Sequence, residues 1–97
     1  MTYLLGIDAG TTSMKASVFD LRGREMGSCS EEYSLFTPGP DMVELEPEMY
    51  WHAFVRVIAV AMSRAQVRPA DIAALAISSQ GETLIVVDDN GRPLRNA

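Results

Sequence analysis

Residues 6–15 constrain the fold of this chain more than any other stretch. An apolar run ends in the acidic Asp8, a glycine and three hydroxyl residues follow, and then a second apolar run begins. A pattern of strand, short polar turn and strand predicts two antiparallel strands, over 3–8 and 14–20, joined as a hairpin. Any fold for this chain has to accommodate an N-terminal hairpin with a polar tip.

The polar tip of this hairpin has the composition of an anion-binding turn. A tight turn after a glycine aims consecutive backbone N–H groups at one anion, and Thr and Ser hydroxyls add further donors. Asp8 is placed to hold a divalent cation through water, as Mg²⁺ is commonly held beside nucleotide phosphates. We therefore predict a triphosphate clamp. Its residues are Asp8 for a hydrated Mg²⁺ and, for phosphate, Gly10, Thr11, Thr12, Ser13 and Lys15, the only lysine in the chain.

An ordinary hairpin turn is the alternative to this interpretation, because Thr and Ser side chains also satisfy turn backbone locally. The stretch is not a P-loop, since Gly6 is followed five places later by Thr11 rather than by Gly-Lys-Ser/Thr. Nor is it a dinucleotide-binding fingerprint, because no Gly-x-Gly-x-x-Gly opens a helix here. The phosphate hypothesis therefore depends on the hairpin itself.

Composition limits the partners of this chain. Its 97 residues, 47% of them hydrophobic, suit one small domain, and no run has the length of a membrane helix. A net charge of −5 without a basic stripe argues against a nucleic-acid partner. The same charge repels ATP, so phosphate affinity has to come from local donors, Lys15 and a metal ion. A single cysteine, Cys29, and an N-terminus without a basic leader fit a cytoplasmic protein.

Beyond the hairpin, the pattern predicts a third antiparallel strand and then a long helix. Alternation over 25–33 predicts the strand, near a sheet edge, and the proline- and glycine-containing stretch 34–46 predicts a loop. Pro47 suits the first position of a helix predicted to end near Arg64. The helix face predicted to meet the core carries Trp51, Phe54, Val55, Ile58, Met62 and Ala65.

The last part of the sequence predicts a strand parallel to the first. Residues 72–77 are nearly all apolar, which is typical of a strand buried on both faces, and 78–82 form a polar loop after it. A strand over 83–87 and an Asn-Gly turn predict a further hairpin. Because ligands of open α/β sheets bind at the carboxyl ends of strands, Asp8 and Glu82 are expected near one cleft. The predicted fold class is α/β, with three antiparallel strands, a helix and a parallel strand in one mixed sheet.

The sequence resembles the FGGY-type carbohydrate kinases, relatives of glycerol kinase and xylulose kinase, in three separate motifs. Residues 6–15 resemble the first phosphate motif of that family, and 44–51 resemble the stretch that leads into its first helix. Residues 77–83 resemble the loop that carries sugar-contacting residues. The match spans essentially the whole chain in the right order. It implies an actin-like ATPase (ribonuclease-H-like) fold and transfer of the γ-phosphate of ATP to a sugar or polyol hydroxyl.

The resemblance also implies roles for individual residues. It implies that Asp8 organises Mg²⁺ through water, that residues 11–13 contact phosphate, and that Lys15 lies beside the transferring group. The residues that it assigns to the sugar substrate are Gln80, Gly81 and Glu82. A solvated loop glutamate is the alternative for Glu82. The glycerol-specific branch has an arginine in place of Gly81, so the missing polyol contact makes glycerol a less favoured substrate. The xylulose branch usually has Met-His in this loop, so the motif leaves the substrate open.

Members of the family are much longer than this chain and have two domains. The resemblance therefore implies that residues 1–97 form a partial N-terminal domain, with the C-terminal domain, the general base and the adenosine-binding part beyond Ala97. No catalytic residue is assigned within the chain, and we expect the chain alone to be inactive. We also expect self-association through exposed sheet edges, since such edges pair readily with other chains.

Two other functions fit parts of the pattern. An ATP-driven chaperone or actin-like filament protein is the main alternative, because its first phosphate turn can share the Gly-Ile-Asp-x-Gly-Thr-Thr pattern. Lys15, the helix entry at 46–51 and the loop at 80–82 favour the sugar kinase instead. A sugar sensor related to these kinases is expected to carry a helix-turn-helix ahead of Asp8, where too few residues stand to form one.

Overall fold

The computed structural model of the protein describes residues 1–81 and 83–97. Along the chain the elements are β1 (Tyr3–Ala9), β2 (Ser13–Asp20), β3 (Glu25–Glu32), β4 (Phe36–Gly39), β5 (Met42–Glu44), α1 (Pro47–Ala65), a short 3-10 helix (Pro69–Asp71) and β6 (Ile72–Ser79). β1 pairs antiparallel with β2 and parallel with β6, and β3 pairs antiparallel with β2. The sheet order is thus β3-β2-β1-β6, which confirms the predicted mixed sheet.

The core lies on one face of this sheet, where α1 packs across β2 and β3. The centre of the helix face is formed by small residues that are fully buried, Ala53, Val57 and Ala61. They pack against every second side chain of β1 and β2. These are Leu5, Ile7, Met14, Ala16 and Val18. Because successive strand residues point to opposite faces, the residues that alternate with these core residues lie on the other face of the sheet.

The predicted apolar face of α1 was partly wrong. Four of its residues, Phe54, Ile58, Met62 and Ala65, do pack beside the core. Trp51, however, is 59% exposed and Val55 is 46% exposed. The prediction followed the large apolar side chains, whereas the helix approaches the sheet where small residues permit close contact. Among the described residues, α1 included, no helix combines the length and hydrophobicity that crossing a bilayer requires.

Both ends of α1 follow from local chemistry. Pro47 stands at the start of the helix, where its missing N–H is no loss because the first amides of a helix have no partner within it. The helix stops at Gln66, whose backbone is left-handed with φ 56°, and the following amide of Val67 donates to the carbonyl of Met62 at 3.1 Å. This is the usual way in which a left-handed residue caps the last carbonyls of a helix. The predicted end near Arg64 is therefore confirmed to within one residue.

Three further predictions were wrong. The stretch 34–46 contains the hairpin of β4 and β5 rather than only a loop, with Phe36 paired to Glu44. The strand predicted over 83–87 does not form: within the described residues, 83–86 have no regular structure and Val87 makes only an isolated bridge to Pro93. The predicted Asn-Gly turn is present between Val87 and Pro93. A strand requires a continuous neighbouring strand, which composition alone does not reveal.

The third error concerns β6, which was predicted to be buried on both faces. All of its residues after Ile72 are exposed, including the apolar Leu75 and Ile77. The cause is position, because β6 is the outermost strand beside β1 and α1 covers β2 and β3 instead. Its apolar composition is therefore not matched by contacts within these 97 residues.

The turn between β2 and β3 is organised by the side chain of Asp20. Its carboxylate accepts hydrogen bonds from the backbone N–H groups of Arg22 and Arg24, both at 2.9 Å, and from Nε of Arg24 at 2.6 Å. Gly23 adopts φ 82°, a conformation that favours glycine. The backbone N–H of Arg24, followed by its guanidinium and by the N–H of Arg22, lowers the pKa of Asp20 below its ordinary value, and burial opposes this shift.

We expect the stability of the fold to depend on pH through Asp20. A carboxyl whose pKa is lower in the folded than in the unfolded chain stabilises the fold above the unfolded pKa, and this contribution is lost on acidification. The free energy of unfolding of the wild-type chain, measured in urea, should therefore decrease as pH falls below about pH 4. Asp20→Asn should remove part of that dependence. An unchanged acid slope in Asp20→Asn would show that the turn carboxylate is not responsible.

Close contact between β3 and α1 yields a second prediction. A Cβ added to Gly27 would lie 2.6 Å from the backbone nitrogen of Ala65 and 2.7 Å from the carbonyl oxygen of Ala61. Gly27→Ala is therefore expected to push the helix off the sheet and to lower the free energy of unfolding by about 1–3 kcal/mol. Gly81→Ala is the matched control, because a Cβ there meets no atom within 4 Å. Equal unfolding midpoints for the two variants would contradict this packing argument.

Candidate functional site

The hairpin of β1 and β2 places Asp8 and Lys15 directly opposite each other on neighbouring strands. Both side chains lie on the face of the sheet that α1 does not cover, since Ile7 and Met14 beside them point into the core. The turn between them is closed by a hydrogen bond from the backbone N–H of Gly10 to the carbonyl of Ser13, at 3.0 Å. The predicted hairpin is thus present, and the strands continue beyond the predicted ends.

The tip of this turn leaves donors available. Thr11 and Thr12 are exposed, and their backbone N–H groups donate to no acceptor among the described residues. The carbonyl of Thr12 instead accepts a hydrogen bond from the N–H of Tyr33 at 2.9 Å, which fixes the turn against the end of β3. A Cβ on Gly10 would lie 3.1 Å from the carbonyl oxygen of Ser13, so the tight turn favours glycine at that position. The donor set therefore suits an anion such as phosphate.

A groove of about 590 Å³ lies beside Asp8 and Lys15 on the same face of the sheet. Glu25, at the start of β3, lines it together with the buried Ser17. Oε1 of Glu25 accepts a hydrogen bond from Oγ of Ser17 at 2.8 Å and lies 3.9 Å from Nζ of Lys15. Sequence analysis missed Glu25, although the period-two spacing of Lys15 and Ser17 already indicated a shared polar face.

The loop after β6 is tied by Gln80 to the predicted phosphate turn, which is formed by residues 10–13. Its backbone N–H donates to the carbonyl of Ala9 at 3.1 Å, and Nε2 lies 3.4 Å from the carbonyl oxygen of Gly10. Nε2 also donates to the hydroxyl of Tyr50, and Oε1 accepts from the hydroxyl of Thr83 at 2.8 Å. The amide of Gln80 is thus engaged on both sides, which makes it a link between two segments that are far apart in sequence.

Two tyrosines that sequence analysis assigned no role support this link. The rings of Tyr33 and Tyr50 pack edge to face with centroids 5.1 Å apart. The Tyr33 hydroxyl is buried and has no hydrogen-bond partner among the described residues. Burial, then the neighbouring Tyr50 and Asp8, raises the pKa of Tyr33 to about 12. Burial also raises the pKa of Tyr50, and the hydrogen bond with Gln80 opposes this shift.

The remaining predicted site residues are Gly81 and Glu82. Gly81 is exposed, and a Cβ added there would meet no atom within 4 Å from the described residues other than its chain neighbours. Glu82 lies outside the described residues. Within residues 1–81 and 83–97, no three His, Cys, Asp or Glu side chains form a metal-binding cluster. The exposed carboxylate of Asp8 suits an ion that keeps most of its water, as Mg²⁺ commonly does.

We expect the two tyrosines to respond differently to loss of their hydroxyls. Tyr50→Phe removes the acceptor of the Gln80 hydrogen bond and should lower the free energy of unfolding by about 0.5–1.5 kcal/mol. Tyr33→Phe removes a buried hydroxyl without a partner and should leave that free energy unchanged or raise it. Urea unfolding of both variants measures the difference, and an equal loss in Tyr33→Phe would mean that its hydroxyl is satisfied in solution.

Comparison with known proteins gives close relatives across the whole chain. The profile of the FGGY family of carbohydrate kinases, N-terminal domain, matches residues 3–97. A glycerol kinase of Thermococcus gammatolerans is 43% identical over 95 residues, which cover 98% of this chain and 19% of that protein. Glycerol kinase 2 of Thermotoga maritima is 41% identical over 98 residues, covering 100% of this chain and 20% of that protein.

Solved structures with a similar fold are kinases of the same kind as the relatives found by sequence. A ligand-bound xylulose kinase from Lactobacillus acidophilus matches 99% of this chain and 19% of its own with a TM-score of 0.86 at 29% identity. A gluconate kinase from the same organism matches with a TM-score of 0.85, also at 29% identity, over 98% of this chain and 19% of its own. The fold is the actin-like ATPase fold of these sugar kinases, and the chain spans about a fifth of the length of the relatives. The chain therefore belongs to the FGGY family of carbohydrate kinases.

Proposed function

We propose that this chain forms part of the N-terminal domain of a kinase that transfers the γ-phosphoryl group of ATP to a hydroxyl of a sugar or polyol. The observation that carries the proposal is the contact between the predicted phosphate turn and the predicted sugar loop. Gln80 donates to the carbonyl of Ala9 through its backbone and lies beside that of Gly10 through its side chain. Phosphoryl transfer depends mainly on holding donor and acceptor side by side, and this contact supports such an arrangement.

The phosphate turn supplies the donors for ATP in this proposal. The exposed amides and hydroxyls of Thr11 and Thr12, with Ser13, would bind phosphate oxygens, and Gly10 allows the tight turn. Lys15 adds a full positive charge beside the turn, on the face of the sheet that α1 does not cover. At about 4 Å and an effective dielectric near 20, two unit charges interact by about 4 kcal/mol. Lys15 thus offsets part of the repulsion between ATP and a chain of net charge −5.

Asp8 is the residue proposed to hold Mg²⁺ through water. Its exposed carboxylate lies across the strand pair from Lys15 and beside the turn, so an ion there would be close to the phosphates. When bound, the ion would neutralise charge that develops on the transferring group. The carboxylate itself orients the water molecules of the ion and contributes no bond to the phosphoryl group.

For the acceptor, we propose Gly81 and Glu82 as contacts of the sugar or polyol, with Gln80 beside them. A carboxylate such as that of Glu82 accepts hydrogen bonds from two hydroxyls, which is the recognition that a polyol requires. The side chain of Gln80 is already engaged with Tyr50 and Thr83, so its main contribution is to hold the loop against the turn. Apart from its chain neighbours, no described residue lies within 4 Å of a Cβ built on Gly81, which supports room for the substrate there.

Because the chain spans only 19–20% of the length of its relatives, the remainder of the activity is proposed to come from other parts of the protein. We assign no catalytic base within residues 1–97. A general base and an adenosine-binding part supplied from elsewhere would complete the site. The 97-residue chain alone is accordingly expected to release no ADP in the presence of a sugar.

The experiment that tests the proposal is ADP release by the full-length gene product with glycerol, xylulose, gluconate and other pentuloses, hexuloses and polyols. One compound should raise the rate far above the basal ATPase, and Glu82→Ala should remove that increase. Asp89→Ala is the matched control, because Asp89 is an exposed carboxylate in the turn beyond the loop. No stimulation by any sugar, together with stimulation by an unfolded peptide, would favour the chaperone function instead.

Lys15 gives a second test on the same protein. Lys15→Met keeps the length of the side chain and removes its charge, so kcat should fall about 100- to 1,000-fold, as for loss of one donor to a developing negative charge. Lys15→Arg keeps the charge and should retain most of the activity. A kcat for Lys15→Met within threefold of wild type would remove Lys15 from the phosphate site.

A further inference from the structure

Lys15 already has a partner of opposite charge in this structure. Oε1 of Glu25 lies 3.9 Å from its Nζ and accepts the hydroxyl of Ser17 at 2.8 Å. Ser17 is two residues further along β2 than Lys15 and is 7% exposed, so it fixes the carboxylate of Glu25 over the strand. The ammonium of Lys15 therefore reaches along β2 toward Glu25, although its backbone stands next to the phosphate turn.

We propose that Glu25 is a counter-ion that positions Lys15 when no nucleotide is bound and competes with nucleotide phosphate for its ammonium. This inference rests on the proposed role of Lys15 in phosphate binding. Lys15 has one ammonium, and a phosphate at the turn and the carboxylate of Glu25 both attract it. Nucleotide binding must then displace or weaken the contact with Glu25.

The strength of the contact fits such an exchange. The Lys15 side chain is 51% exposed and that of Glu25 is 45% exposed, and ion pairs with this exposure contribute little stability. A nucleoside triphosphate carries more charge than one carboxylate and brings several acceptor oxygens, so it outcompetes Glu25 for the ammonium of Lys15. Asp8 is the other acidic residue that lines the groove, and it lies opposite Lys15 on the neighbouring strand. Lys15 thus stands between two carboxylates, of which Glu25 holds its ammonium.

Glu25→Gln in the full-length protein tests the proposal directly. Glutamine keeps an acceptor for Ser17 and removes the charge, so Lys15 becomes free for phosphate. Calorimetric titration with the magnesium complex of a non-hydrolysable ATP analogue, which carries the γ-phosphate beside which Lys15 is proposed to lie, should show binding about two- to fivefold tighter than wild type at low ionic strength. The difference should shrink in high salt, because exposed pairs are screened. Glu48→Gln is the matched control, because it makes the same charge change at an exposed residue of α1, on the opposite face of the sheet from Lys15, and should leave affinity within about 1.5-fold of wild type.

Two results for Glu25→Gln would overturn the proposal. Unchanged affinity would mean that Glu25 does not compete for Lys15. Weaker affinity would mean that Glu25 instead holds Lys15 ready for the nucleotide.

The double variant separates an effect through Lys15 from simple repulsion of the nucleotide. In a Lys15→Met background, Glu25→Gln should have no effect on affinity for the ATP analogue, because the ammonium for which Glu25 competes is gone. Persistent tightening would show that Glu25 repels phosphate directly, and the counter-ion role would then be wrong. If Lys15→Met alone fails to weaken binding of the ATP analogue, the phosphate role of Lys15 is wrong and the counter-ion role of Glu25 is wrong with it. If Lys15→Met weakens binding and Glu25→Gln changes nothing, only the counter-ion is lost.

Discussion

The pairing of β1 with β2 on one side and β6 on the other is the interaction on which the rest of this structure depends. Because β1 is a central strand, its alternation separates two functions. Leu5 and Ile7 point into the core under α1, while Asp8 points to the open face of the sheet. The same strand ends at the turn that is proposed to bind phosphate. Stability and chemistry thus share one strand and use its two faces.

The second organising feature is the contact between the end of β1 and the loop that follows β6. β6 runs parallel to β1, so both strands end at the same edge of the sheet, and Gln80 then bonds to Ala9. Tyr50, at the start of α1, holds the side chain of Gln80 from the core side. A helix, a strand end and a turn therefore meet at one point. Such a convergence would serve the proposed positioning of two substrates, which depends on groups held in fixed places.

Electrostatics of the open face explain how an acidic chain could bind the nucleotide that is proposed for it. The net charge is −5, yet the turn offers backbone amides and the groove contains Lys15. Local dipoles and one ammonium act over a few ångströms, whereas the net charge acts over longer distances and is screened by salt. The proposed competition between Glu25 and phosphate for Lys15 is a further local effect of this kind. Charge placement rather than total charge determines what this face can bind.

The sequence by itself determined the elements with strong local signals: the hairpin, the start and end of α1, the parallel strand and the polar residues of the turn. It also predicted that the turn and the loop after β6 lie at one sheet edge. Only the tertiary structure decided the exposure of β6, the hairpin of β4 and β5, and the contacts made by Glu25 and Tyr50. The physical reason is that turns, caps and alternation depend on neighbours in sequence, whereas burial and side-chain partners depend on which elements pack together in space.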